Sequence, residues 1–179
     1  IYSSNGKYVW YGENRYSGSN SGVSMYQSSA LLSWKNLGVI FHSSDIKGDS
    51  GEYFLERPKI IYNKLTHKYV MWFHVESKKG NYKSALAGVA TSDALQGPYH
   101  FKYASRINKG KPPINGNYVG NKLANSVNKK YSKEGQMSMD LFLYTDESNL
   151  AYLISSSEDN LTLTISELTT DYFHTTEKY

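Results

Sequence analysis

Apolar and polar positions alternate with a period of two along most of this chain. The clearest run is KYVMWFH, residues 68 to 74: Tyr69, Met71 and Phe73 fall on one side, Val70, Trp72 and His74 on the other. That is the pattern of a half-buried strand. The same run returns as GKYVWYGE (6 to 13) and, more faintly, as NLAYLISSSE (149 to 158). With Tyr8, Tyr69 and Tyr152 taken as equivalent, the copies lie 61 and 83 residues apart. Each has a matching sequel, GVSMYQSSALLSW, AGVATSDALQGPY and LTISELTTDYF, a short alternating strand that runs into a turn and an aromatic. ERPKIIYN (56 to 63) and MDLFLYTD (139 to 146) precede the second and third copies. Helical periodicity is not evident over any useful length.

Each unit therefore reads as four short antiparallel strands, A to D, joined by turns of Asn, Gly, Ser and Asp. A four-stranded unit repeating at this spacing predicts the blades of a β-propeller. The expected boundaries are blade one at 1–50, blade two at 51–106, a basic loop at 107–134 and blade three at 135–179. Blade one is expected to keep only Ile1-Tyr2 of its inner strand.

The register has a chemical consequence. Strands A and B run antiparallel, so the start of A and the end of B share an edge. Glu56 and Asp140 are expected to begin strand A of two units, and Glu13 and Glu158 to end strand B of two, with His74 at the equivalent place in the middle one. Around a common axis these groups converge on one face. Carboxylates accept hydrogen bonds from sugar hydroxyls, and aromatic faces cover the C–H patches of a sugar ring. The alternative is plain ion pairing, Glu56 with Arg57 or Arg15. Pro58 is expected at the first position of an inner strand, where it holds Arg57 extended. For His74 a hydrogen-bonded structural role is expected.

Composition sharpens this picture in places. Tyr is over-represented, 17 residues beside 6 Phe and 3 Trp; it fills an apolar layer while keeping a polar tip. The net charge of +4 is weak support for a polyanionic partner. Its excess sits largely in residues 102 to 134, which carry eight Lys or Arg against one Glu and show no apolar periodicity. A solvated, mobile loop is expected there, and the sparse aromatics argue against nucleic acid. Without cysteine there is no disulfide, thiol catalysis or Cys-based zinc site. No apolar run approaches a membrane span. Walker, Rossmann and G-x-S-x-G patterns are missing, and the five histidines lack metal-binding spacing, so neither metal nor cofactor is expected. Asn160-Leu161-Thr162 is a glycosylation sequon.

The ordered set YVWYGE, GVSMYQSS, WKNLGV, ERPKIIYN, KYVMWFH, AGVATSD, SMD, AYLISSSEDN and ISELTTDY resembles glycoside hydrolase family 43, the five-bladed β-propeller glycosidases, and within it the enzymes similar to exo-β-1,3-galactanase. The resemblance runs along almost the whole chain. It implies an all-β fold, a partial five-bladed propeller, an oligo- or polysaccharide substrate cleaved by the exo mode with inversion, secretion, and a monomer at full length. Asp140 matches the Asp that orients the general acid and adjusts its pKa. Glu56 matches a carboxylate of the sugar subsite, and Glu13, Tyr82, Glu158 and Asn160 match positions lining the same pocket. Two departures stand out: Met139 occupies the place of a family Arg that would pair near Asp140, and the 102 to 134 loop is long.

The resemblance also implies that the acid lies in a fourth blade beyond Tyr179, and the base in strand A of the first blade or in a fifth-blade amide. The chain then holds about three blades of a longer domain and is expected to be inactive alone. Two alternatives stay open, a non-catalytic carbohydrate-binding propeller and another family specificity such as arabinofuranosidase or xylosidase.

Overall fold

The computed structural model describes residues 2 to 4, 6 to 15, 22 to 48, 52 to 80, 82 to 114, 133 to 176, and 178 to 179. Among the described residues eleven strands form three antiparallel sheets in chain order. The first holds β1 (Tyr2–Ser4), β2 (Lys7–Asn14), β3 (Gly22–Ser28) and β4 (Lys35–His42). The second holds β5 (Tyr53–Asn63), β6 (Lys68–Ser77), β7 (Leu86–Ser92) and β8 (His100–Ser105). The third holds β9 (Leu141–Thr145), β10 (Ala151–Ser157) and β11 (Thr162–Glu167). Beyond β11 the chain turns back: Thr176 N–H donates to the Glu167 carbonyl (2.8 Å) and Glu167 N–H to that of Lys178 (3.0 Å), as a fourth strand would begin. The architecture is that of a partial propeller, and the repeated Tyr8, Tyr69 and Tyr152 each lie on the second strand of their sheet. Among the described residues no helix is long and apolar enough to cross a membrane.

The turns follow from the side chains at the strand ends. Asn63 Oδ1 accepts the N–H groups of Leu65 and Thr66 (both 2.9 Å), closing the β5–β6 hairpin. Asp146, at the corresponding end of MDLFLYTD, accepts those of Ser148 and Leu150 (both 2.9 Å) and closes β9–β10. Short Asn and Asp side chains make this contact in competition with the strand ladder, which is why they end it.

Two cores, one on either side of β6, hold the sheets together. Met71, Phe73 and Val75 pack with Val9, Val23, Met25 and Phe41 of the first sheet. Val70 and Trp72 point the other way, onto Leu141, Ala151 and Leu153 of the third. The expectation of a half-buried strand is therefore corrected: Val70 to Ser77 are all buried, because a middle blade has a neighbour on each face. The outer faces have none among the described residues. Trp10 stays half exposed beside Tyr26 and Trp34 on the first sheet. Phe142, Tyr144, Leu163 and Ile165 are exposed on the third.

Three further expectations change. Residues 102 to 105, placed in a solvated loop by their composition, are strand β8, and Ile107 and Asn108 beyond it are buried. Residues 115 to 132 of that loop lie outside the described residues. Strand β5 starts at Tyr53, so Glu56 sits within it rather than at its beginning. Finally, Arg57 is not extended. Its φ is +52°, in the left-handed region, where the ladder jumps from Glu56↔His74 to Lys59↔Trp72. A bulge accommodates Pro58, which has no N–H to offer a ladder.

Candidate active site

At this bulge carboxylates from all three sheets meet. Glu13 comes from the penultimate position of β2, Glu56 from β5, and Asp140 directly precedes β9. Two guanidinium groups link them. Arg15 binds Glu13 Oε2 through Nη2 (2.7 Å) and Glu56 Oε1 through Nη2 (3.0 Å). Arg57 binds Glu56 Oε2 through Nη1 (3.0 Å) and Asp140 Oδ1 through Nε. The Arg57 backbone N–H donates to Glu13 Oε1 (2.8 Å), closing the loop back to the first sheet.

Glu56 is buried, and burial of a carboxylate is tolerated only when it is paired and hydrogen-bonded. Its Oε1 also accepts the Tyr82 hydroxyl at 3.0 Å. Burial and the accepting Glu56 carboxylate push the Tyr82 phenol up. Tyr82 itself is half exposed, with its ring stacked on Phe54 at 6.3 Å and 9°. Lys59 completes the cluster; burial, then the nearby Arg57 charge, holds its ammonium below the usual lysine range. The three carboxylates and two guanidinium groups leave one negative charge in excess before Lys59 is counted. Such a site suits a neutral ligand rich in hydroxyl groups.

A second set of contacts delivers Tyr82. Glu76 is fully buried and accepts the N–H groups of Ser84 (3.0 Å) and Ala85 (2.6 Å). Arg106 reaches the Ser84 carbonyl (3.0 Å) and the Lys83 carbonyl (2.7 Å). These bonds hold the segment from Tyr82 to Ala85, both of which have positive φ. His74 lies beneath, fully buried; its Nδ1 donates to the Ser138 carbonyl at 2.6 Å, and Nε2 is 3.5 Å from Glu76 Oε1. It is a hydrogen-bonded interior histidine.

The structure thus brings Glu13, Glu56, Tyr82 and Asp140 together, through Arg15, Arg57 and the Tyr82–Glu56 hydrogen bond. Asn160 is joined to them at one remove: Ser156 Oγ donates to Asn160 Oδ1 (2.6 Å) and accepts the Asp140 N–H (3.1 Å). Glu158 is placed elsewhere. The chain leaves the ladder at Ser157, and three successive positive-φ residues, Glu158 to Asn160, turn the Glu158 side chain inward, where it is 1% exposed. Its Oε2 accepts the Thr162 hydroxyl, and burial raises its pKa. Sequence reasoning did not single out Arg57 as a link between sheets, nor Glu76 and Arg106 as supports; their partners are distant in the chain, and no local motif marks them. Among the described residues no group of three His, Asp or Glu side chains is placed to hold a metal ion.

A scan of protein-family models gives no match, and neither does a comparison with curated proteins. Solved structures do match. A GH43 β-1,3-galactosidase seen with galactodeoxynojirimycin is 37% identical, with a TM-score of 0.89 over 99% of this chain and 59% of that one. The exo-β-1,3-galactanase of Phanerochaete chrysosporium, seen with galactose, is 28% identical with a TM-score of 0.76, over 98% of this chain and 36% of its own. An exo-β-1,3-galactanase from Clostridium thermocellum is 29% identical with a TM-score of 0.78, over 97% and 34%. The chain therefore spans between about a third and three fifths of the length of the structures it matches.

Proposed function

We propose that the chain is part of a glycoside hydrolase family 43 protein, a reading supported by its likeness to solved GH43 structures, and that the intact protein is a glycosidase that removes galactose from the end of β-1,3-galactan, with inversion. The observation that carries this reading is the linked set Glu13, Glu56 and Asp140, one carboxylate from each sheet, beside the exposed ring of Tyr82. In this reading Glu56 and Tyr82 bind the terminal sugar. Glu56 Oε1 already has two donors and Oε2 one, so Oε2 keeps a lone pair for a sugar hydroxyl. Glu13 shapes the pocket by fixing the bulge. Asp140 Oδ2, opposite the oxygen that Arg57 holds, is the acceptor that orients the group protonating the leaving oxygen.

Inversion needs an acid on one side of the glycosidic bond and a base to activate water on the other. In this reading both come from parts of the protein outside these 179 residues. The test is galactose release from β-1,3-galactan: the intact protein releases it, and the chain alone releases none. An intact protein that binds the polysaccharide without cutting it favours the non-catalytic propeller. That alternative drew its support from Met139, but an arginine does reach Asp140, from the second sheet.

A further inference from the structure

We propose that Arg57 is the positioning residue for Asp140, and that it does from the neighbouring blade what no residue beside Asp140 in sequence can do. The proposal rests on the glycosidase reading above and adds to it a residue and a role. Met139, the neighbour on one side, packs its side chain against the buried pair Ala85 and Met137 and has no charge to give. Leu141, the neighbour on the other, is buried in the core between the second and third sheets. The backbone of Asp140 is pinned, since its carbonyl accepts the Ser156 N–H (2.8 Å) and its own N–H reaches Ser156 Oγ (3.1 Å). The carboxylate is not pinned by these bonds: the side chain is 68% exposed, and Arg57 Nε is its ion-pair partner among the described residues.

Three features suit Arg57 to this task. Its backbone is held in the left-handed region, which is strained for a non-glycine residue and persists only where surroundings enforce it. Here Glu13 enforces it, by accepting the Arg57 N–H from another sheet. Next, the guanidinium is a rigid planar fork, so fixing Nη1 on Glu56 fixes the direction of Nε as well. A lysine would bring the charge without that direction. Lastly, Glu56 is buried and so is itself immobile, which makes it a firm anchor for the fork. The chain of constraint runs from Glu13 and Glu56 through Arg57 to Asp140, leaving Oδ2 of Asp140 pointed for use.

The experiment measures kcat and KM of the intact protein on β-1,3-galactobiose for the wild type, Arg57→Met, Arg57→Lys, Asp140→Asn and the Arg57→Met/Asp140→Asn double variant. The expected result is a fall in kcat of about 10- to 100-fold for Arg57→Met, the scale of a misplaced group near the chemistry. The double variant should lie within about threefold of Asp140→Asn alone, since residues acting as one unit are non-additive. Arg57→Lys should recover part of kcat, and it carries the comparison if Arg57→Met fails to fold. Losses that multiply, or a change confined to KM, overturn the proposal, the latter because Arg57 would then serve only the binding role of Glu56. A wild type that hydrolyses no galactoside overturns the glycosidase reading instead. Crystal structures of the wild type and Arg57→Met then decide this one: a displaced Asp140 carboxylate is expected, and an unmoved one overturns it.

Discussion

The indole Nε1 of Trp72, at the centre of the second sheet, donates a hydrogen bond to the carbonyl of Tyr172 beyond the third sheet, 2.9 Å away. Trp72 is completely buried, so this bond carries polar contact through the apolar core between the two sheets. Replacing Trp72 by Phe leaves a buried carbonyl without its donor, a loss of about 1–3 kcal/mol. Trp72→Ala adds a cavity, for about 3–5 kcal/mol in all. Urea denaturation of the intact protein measures both, and a Phe variant as stable as the wild type would contradict the assignment.

Tyr82 offers a test of the proposed sugar-binding face. Its ring stacks on Phe54 and its hydroxyl donates to Glu56. Tyr82→Phe keeps the ring and removes the donor, so galactose binding by the intact protein should weaken about tenfold, the worth of a hydrogen bond to a charged group. Calorimetric titration reads the change; unaltered affinity places the Tyr82 hydroxyl outside the ligand site.

Glu158 predicts a pH effect on stability. Burial raises its pKa, so the fold favours the protonated form. That contribution is present below the ordinary glutamate pKa of about 4.3 and is lost as pH rises through the raised value. Glu158→Gln keeps an acceptor for Thr162 and removes the titration. The variant should melt at least as high as wild type near neutral pH and show a flatter stability profile through the weakly acidic range. Parallel profiles for the two proteins would refute this.

The outer faces predict behaviour of the 179-residue chain on its own. Trp10 on one side and Phe142, Tyr144, Leu163 and Ile165 on the other form apolar sheet surfaces without a described neighbour. Surfaces of this kind drive association. Sedimentation should show self-associated species, and a monomer that melts cooperatively counts against the prediction.

Much of this was legible in the sequence, for a physical reason. A strand's period of two and an Asn or Asp at a turn are local properties, so KYVMWFH and its two echoes reveal the second strand of every sheet. The nearness of Glu13, Glu56 and Asp140 was expected from antiparallel pairing within each unit together with the arrangement of the units around a common axis. What escaped depends on the backbone leaving that geometry. The left-handed turn at Arg57 exists because Glu13 accepts its N–H from another sheet, which no window around Arg57 contains. The inward turn of Glu158 escaped for a related reason: counting along the strand assumed the pleat continued, whereas the chain leaves the ladder at Ser157. Glu76, two positions after His74, gives no sign in sequence that it ties down the segment bearing Tyr82.

Because each carboxylate of the linked set stands on a different sheet, the set works as a gauge of the spacing between blades. A substitution deep in either core, at Val9 or Leu153 for example, that lets two sheets part by about 1 Å would stretch these ion pairs, a displacement able to cost a reaction about a hundredfold. Function should then fail well before the fold does, at positions that touch no ligand.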